Sequence, residues 1–144
     1  MIRSFSLLCI AGLLTGCQVG SNTLAPSTPQ PELSPAAWSA IAGDMVVRLA
    51  EQVGSSRGTV VLEQDPSPFG QALGATLKSW GFEVATEEKT DGKKDEILLS
   101  FAIDDFEGQT LAQLSTQTFA LARAYSATAK GATPTSPFSV IRRS

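Results

Sequence analysis

The sequence reads as an α+β domain: two helices packed on a small mixed β-sheet, in the order α-β-α-β-β-β-β, behind a signal peptide and a disordered tether. Three observations predict this class. Two stretches repeat apolar residues at three- and four-residue spacing, each opened by Ser-Pro and closed by glycine. A short β-branched run separates them, and the later half of the chain alternates residue types with period two.

The first helix is predicted to begin at Ser34-Pro35, where a hydroxyl can cap free amides and proline suits the first helical position. Trp38, Ile41, Ala42, Met45, Leu49 and Val53 then form one apolar stripe, and Gly54 is placed to end it. Thr59-Val60-Val61-Leu62 is a buried strand. A second helix follows from Ser67-Pro68, with Phe69, Ala72, Leu73, Thr76, Leu77 and Trp80 on one face and Gly81 closing it. Residues 82–86 complete a strand–helix–strand crossover, which normally makes its two strands parallel. Trp38 and Trp80 are expected as core anchors. Gly70 and Gly74, inside the second helix, point to close helix packing. Asp65 is expected to favour the helix N-terminus electrostatically.

After the polar segment 87–94, Ile97, Leu99, Phe101 and Ile103 alternate with Leu98, Ser100, Ala102 and Asp104, the clearest strand pattern in the chain. Asp91-Gly92 suggests a turn between antiparallel strands before it, although the run is long for a hairpin. Residues 109–126 are read as two further strands in a turn-linked meander; their alanine content also permits a helix. The domain is assigned residues 35–130, and residues 131–144, with Pro134, Pro137, Arg142 and Arg143, an exposed C-terminal tail.

The N-terminus reads as an address. Arg3 supplies a positive charge, residues 5–14 an apolar stretch of about ten residues, and Thr15-Gly16 small residues at a cleavage point. A spanning helix needs about twenty apolar residues, so residues 1–16 read as a signal peptide. Leu14-Thr15-Gly16-Cys17 resembles the lipobox of bacterial lipoproteins, in which the cysteine thiol is alkylated by diacylglycerol and becomes the first residue of the mature chain. The resemblance implies that Cys17 is acylated (palmitate or its equivalents) and attaches the protein to a membrane. Gln18 is not the aspartate that commonly retains such proteins at the inner membrane, so the periplasmic face of the outer membrane is the expected location. Residues 17–34 are rich in Ser, Thr and Pro and read as a lipidated, semi-rigid tether. At about 3.1 Å per residue such a tether reaches on the order of 50 Å.

Composition excludes several chemistries. The chain has no histidine, and its only cysteines are Cys9, within the signal, and Cys17. A mature chain of this kind offers no disulfide, no Cys/His zinc site, no thiol nucleophile and no imidazole base. Hydrophobic residues make up 42% and charged residues 17%, which suits a globular core. A formal charge of −3 without a basic cluster argues against nucleic-acid binding; Lys89, Lys93 and Lys94 are too interspersed with acids. Asp104, Asp105 and Glu107 fall around one turn and read as solvated carboxylates rather than an acid/base pair. Neither a catalytic residue, a metal site nor a cofactor is expected, and the chain reads as a non-enzyme.

The order of its segments resembles the TrbH family of conjugal-transfer lipoproteins. The segments are the lipobox, then Asp44-Met45-Val46-Val47-Arg48-Leu49-Ala50, then Asp65-Pro66-Ser67-Pro68-Phe69-Gly70 leading to Lys78-Ser79-Trp80-Gly81-Phe82. Leu121-Ala122-Arg123-Ala124-Tyr125 and Ser136-Pro137-Phe138-Ser139-Val140 complete the set. The resemblance implies a structural part in mating-pair formation, within an envelope-spanning type IV secretion system, with other envelope proteins of that complex as partners. The alternative reading is an outer-membrane lipoprotein that reaches across the periplasm to regulate a cell-wall enzyme.

Overall fold

The computed structural model describes residues 30–55, 58–63, 65–86 and 96–143. The lipobox residues Leu14, Thr15, Gly16 and Cys17, the Asp91-Gly92 turn and Lys89, Lys93 and Lys94 lie outside the described residues. The elements are α1 (Pro35–Val53), β1 (Thr59–Leu62), α2 (Pro68–Ser79), β2 (Glu83–Ala85), β3 (Glu96–Phe106), β4 (Gln109–Ser115), β5 (Phe119–Thr128), β6 (Gly131–Pro134) and β7 (Ser139–Arg142). The predicted class holds: both helices cover one face of a mixed sheet.

Helix ends form where the sequence places them. Ser34 and Ser67 each accept a backbone N–H with the side-chain oxygen, from Ala37 and Gly70 respectively, and proline follows each cap. Asp65 Oδ1 accepts the Ser67 amide at 2.7 Å, holding the turn that presents the cap. Gly54, at φ 76°, ends α1 in a left-handed conformation open to glycine. After α2 the Phe82 amide donates to the Leu77 carbonyl and the Gly81 amide to that of Lys78, a Schellman motif with Gly81 at φ 90°. This turn carries Phe82 into the core. Trp80, expected as a core anchor, instead sits at the cap and is exposed, whereas Trp38 is buried against Phe69.

The sheet order is β2-β1-β3-β4-β5-β6, with β7 also on β5. β1 and β2 are parallel, as the crossover predicts, with Val60 opposite Val84. β3 is also parallel to β1, with Val60 opposite Ile97. β2 and β3 therefore run parallel on either side of β1, and are not the antiparallel neighbours suggested before β3. β3, β4 and β5 form the expected antiparallel meander, which settles residues 109–126 as strands. Its first turn has two residues, Glu107 at φ 50° and Gly108 at φ 77°, the pair of positive angles of a type I′ hairpin. Asp104 and Asp105 belong to β3 rather than to that turn, and as neighbours in a strand they project to opposite faces.

Residues 131–143 are not a free tail. β6 pairs with residues 125–128 of β5 and β7 with residues 119–122, so the two strands divide one edge of β5 between them. Proline and exposed polar residues gave this stretch the look of a tail, yet its backbone groups are committed to the sheet. Alternation sets the core: Leu99, Ile103, Ala112, Leu114, Phe119, Leu121 and Tyr125 face the helices and meet Ile41, Met45, Leu49, Leu73 and Leu77.

A candidate site where α1, β5 and the C-terminal segment meet

Arg123 falls at an inward position of β5, between Leu121 and Tyr125, and an inward charge needs partners. It finds them on α1 and on the C-terminal segment. Arg123 Nη1 reaches Asp44 Oδ2 at 2.9 Å, and its Nε donates to the Ser136 carbonyl at 2.8 Å. The Tyr125 hydroxyl donates to the same Asp44 oxygen at 2.7 Å. Asp44 and Arg48 are one turn apart on α1. The guanidinium carbons of Arg123 and Arg48 lie 4.4 and 5.6 Å from the centroid of the Phe138 ring. Arg48 also pairs with Glu51 at 2.7 Å, while its buried Nε has no hydrogen-bond acceptor among the described residues. The Ala124 amide donates to Ser136 Oγ, and the Thr135 amide to the Ala124 carbonyl. The chain between β6 and β7 is thus stitched to β5 throughout.

The electrostatics of this cluster fix charges rather than move protons. Burial pushes the Tyr125 phenol above its ordinary value, and the hydrogen bond to Asp44 adds to that effect; nearby Arg123 opposes both. The phenol therefore stays protonated as a donor. One carboxylate oxygen receives a phenol and a guanidinium, and a second guanidinium rests on the aromatic ring that closes the site. Such an arrangement joins three distant parts of the chain. Sequence reasoning did not single out these side chains as a site. The signal was present in the alternation of β5, where Arg123 occupies a core-facing position.

A second feature lies on the sheet's other face. Where β4 ends, β3 keeps β1 on one edge, and on the edge β4 has left the Gln117 side chain takes over as its neighbour: it accepts the Leu98 amide and donates to the Glu96 carbonyl. Beside it opens a groove of about 550 Å³, lined by residues including Val61, Glu63, Leu98, Thr116, Gln117 and Arg143. Gly70 does require closeness, but to its own cap: a Cβ there would lie 3.0 Å from Asp65 and 3.1 Å from Ser67 Oγ. Gly74 has nothing within 4 Å of that position, so close helix packing explains neither glycine. Among the described residues, no group of three or more acidic or cysteine side chains could hold a metal ion, and no helix is long and apolar enough to cross a membrane.

Fold and site together define a small α+β scaffold whose polar groups are used to fasten its own segments and whose open faces remain for contact. The family model described as "Conjugal transfer protein TrbH" matches residues 19–144. The chain is 49% identical over 136 residues to a probable conjugal transfer protein TrbH of Sinorhizobium fredii (strain NBRC 101917 / NGR234), covering 91% of each chain. It belongs to the TrbH family of conjugal transfer proteins, and so has a role in conjugation. No solved structure matches it. Three of the segments that carried the resemblance, around Asp44, Arg123 and Phe138, are the three that meet in the cluster.

Proposed function

We propose that this chain is a lipid-anchored, non-enzymatic structural component of the conjugal transfer apparatus, held at the periplasmic face of the outer membrane through Cys17. The observation that carries the reading is the combination of family membership with Leu14-Thr15-Gly16-Cys17 and the Pro-rich stretch that follows it. Several acyl chains on Cys17, each contributing about 0.8 kcal/mol per buried methylene, hold a domain durably where one chain would not. The tether sets the domain apart from the headgroups, and the domain supplies surfaces to other proteins of the transfer complex. Its partners on this reading are the membrane and those envelope proteins, without a cofactor and without nucleic acid.

Two strains test this. Deleting the gene is expected to abolish plasmid transfer, with recovery from a wild-type copy. A Cys17→Ser copy is expected to lose incorporation of labelled palmitate, to leave the outer-membrane fraction, and to restore transfer at least about tenfold less well. Normal mating frequency in the deletion strain removes the structural role. Normal transfer by an unlabelled Cys17→Ser protein removes the anchor from the function.

A further inference from the structure

β3 is the longest strand, and its neighbours cover it unevenly. β4 pairs with residues 100–106 on one edge, whereas β1 on the other pairs only with residues 96–99 before the chain leaves for α2. Beyond Leu99, β3 is therefore an edge of the sheet. The Leu98 amide and the Glu96 carbonyl point toward Gln117 on β4's side, so even-numbered residues of β3 face β4 and odd-numbered ones face β1's lane. On that lane the main-chain N–H and C=O groups of Phe101, Ile103 and Asp105 have no hydrogen-bond partner among the described residues. Elsewhere the sheet guards its edges: β2 has three residues, β6 ends in Pro134, and Gln117 fills the place β4 leaves. The surroundings of the open stretch are acidic. Asp104, Asp105 and Glu107 are exposed at its upper end, and Glu63 and Asp65 on the segment by which the chain leaves β1. Neither residues 58–77 nor residues 95–122 contain Lys or Arg.

We propose that the β3 edge at residues 101–105 is a strand-addition site for an extended, basic segment of another protein. The row of unpaired main-chain groups selects an extended backbone, and about five residues, or roughly 17 Å of strand, match it. The carboxylates select its charge: they keep acidic strands off an edge that a strand carrying Lys or Arg can pair with. Side chains of the added strand alternate between the face of Asp104 and the helix-covered face of Phe101, so basic residues alternate with apolar ones. The chain's own tether is unsuited, because Pro26, Pro29 and Pro31 lack the N–H that pairing needs. A second copy offers only short edges, β2 with its Glu83 and β7 with Arg142 already held by Gln52. This deepens the structural role proposed above by naming a kind of partner, and it is independent of Cys17 and of mating.

The test is binding of a dye-labelled peptide, Thr-Lys-Val-Lys-Val-Lys-Thr with blocked ends, to the full chain in detergent, followed by fluorescence anisotropy. Saturable binding below about 1 mM is expected, and none by the peptide with Glu in place of Lys. Methylating the peptide nitrogens of one alternate set of residues should lower affinity at least about tenfold, and those of the other set less than about threefold, because only one set faces β3. Asp104→Lys combined with Asp105→Lys should lower affinity at least about tenfold and transfer binding to the Glu peptide, while Glu83→Lys on β2 changes it less than about twofold. Absence of binding, equal effects of the two methylation sets, or a charge reversal without effect overturns the proposal. Self-association of the chain that the double reversal abolishes gives the edge to a second copy and overturns the choice of partner.

Discussion

At the scale of single residues, Tyr125 does the most. It is the one tyrosine in the chain, fully buried, and its hydroxyl is spent on Asp44. Because burial and that hydrogen bond both favour the neutral phenol, the folded protein holds the proton more tightly than the unfolded chain does. The folded-state pKa is raised, so the stability this contributes is fully present below the unfolded value of about 10 and is lost as pH rises above it. A lone tyrosine makes the effect directly observable. Tyrosinate absorbance near 295 nm is expected to stay absent as pH passes 10 and to appear only with alkaline unfolding, followed by circular dichroism. An ordinary titration near pH 10 with the fold intact would show that the Asp44 contact is not kept in solution. Tyr125→Phe should remove this alkaline sensitivity while costing roughly 1.5–3 kcal/mol at neutral pH, the usual effect of losing a hydrogen bond to a charged acceptor.

At the scale of elements, the two glycines of α2 separate conformational cost from packing. Gly74 has open space where a Cβ would go, so Gly74→Ala should stabilise the protein by roughly 0.5–1 kcal/mol through helix propensity alone. Gly70→Ala should destabilise it by about 1–3 kcal/mol, because the new methyl meets the backbone oxygen of Asp65 and the capping hydroxyl of Ser67. Thermal melts of the two variants should move in opposite directions, and a shared direction would refute the account. The sequence makes such local devices readable: Ser34-Pro35 and Ser67-Pro68 open helices because the caps are chemistry within four residues. Gly81 closes α2 for the same reason. Trp80 was misplaced because periodicity extends the helix face by one residue beyond its final turn, where the Schellman geometry buries Phe82 in its stead. Pairing across distance is harder to read. Nothing local to residues 82–97 reveals that β1 lies between β2 and β3, since both neighbours are chosen by the parallel ladder on Val60.

At the scale of the whole molecule, the C-terminal segment decides how the domain is closed. Its strands are short and mostly exposed, which is why the sequence suggested a tail; what commits them is β5, whose long edge has no other partner there. The candidate site was hidden for the same reason. Asp44 is 79 residues from Arg123, with Phe138 on a further segment beyond β6, and only the assembled fold brings their charges and ring together. This gives a prediction that distinguishes a tail from a structural strap. Ending the chain after Pro134 removes β7, leaves residues 119–122 of β5 with an open edge, and takes from Arg123 both the Ser136 carbonyl and the Phe138 ring. That truncation is expected to lower the melting temperature by more than about 10 °C, or to leave the protein unable to fold, since several kcal/mol are lost from a domain of this size. Ending the chain after Ile141 removes the Phe119–Arg142 end of the β7 ladder, the Arg142 contact to Gln52 and the Arg143 amide bond to Thr118, and should cost just a few degrees. A true tail would make the two truncations equivalent. With a strap, the loss falls almost wholly between residues 135 and 141, and Phe138→Ala alone should reproduce a substantial part of it, because that ring takes the Arg48 guanidinium from α1 and the Arg123 guanidinium from β5.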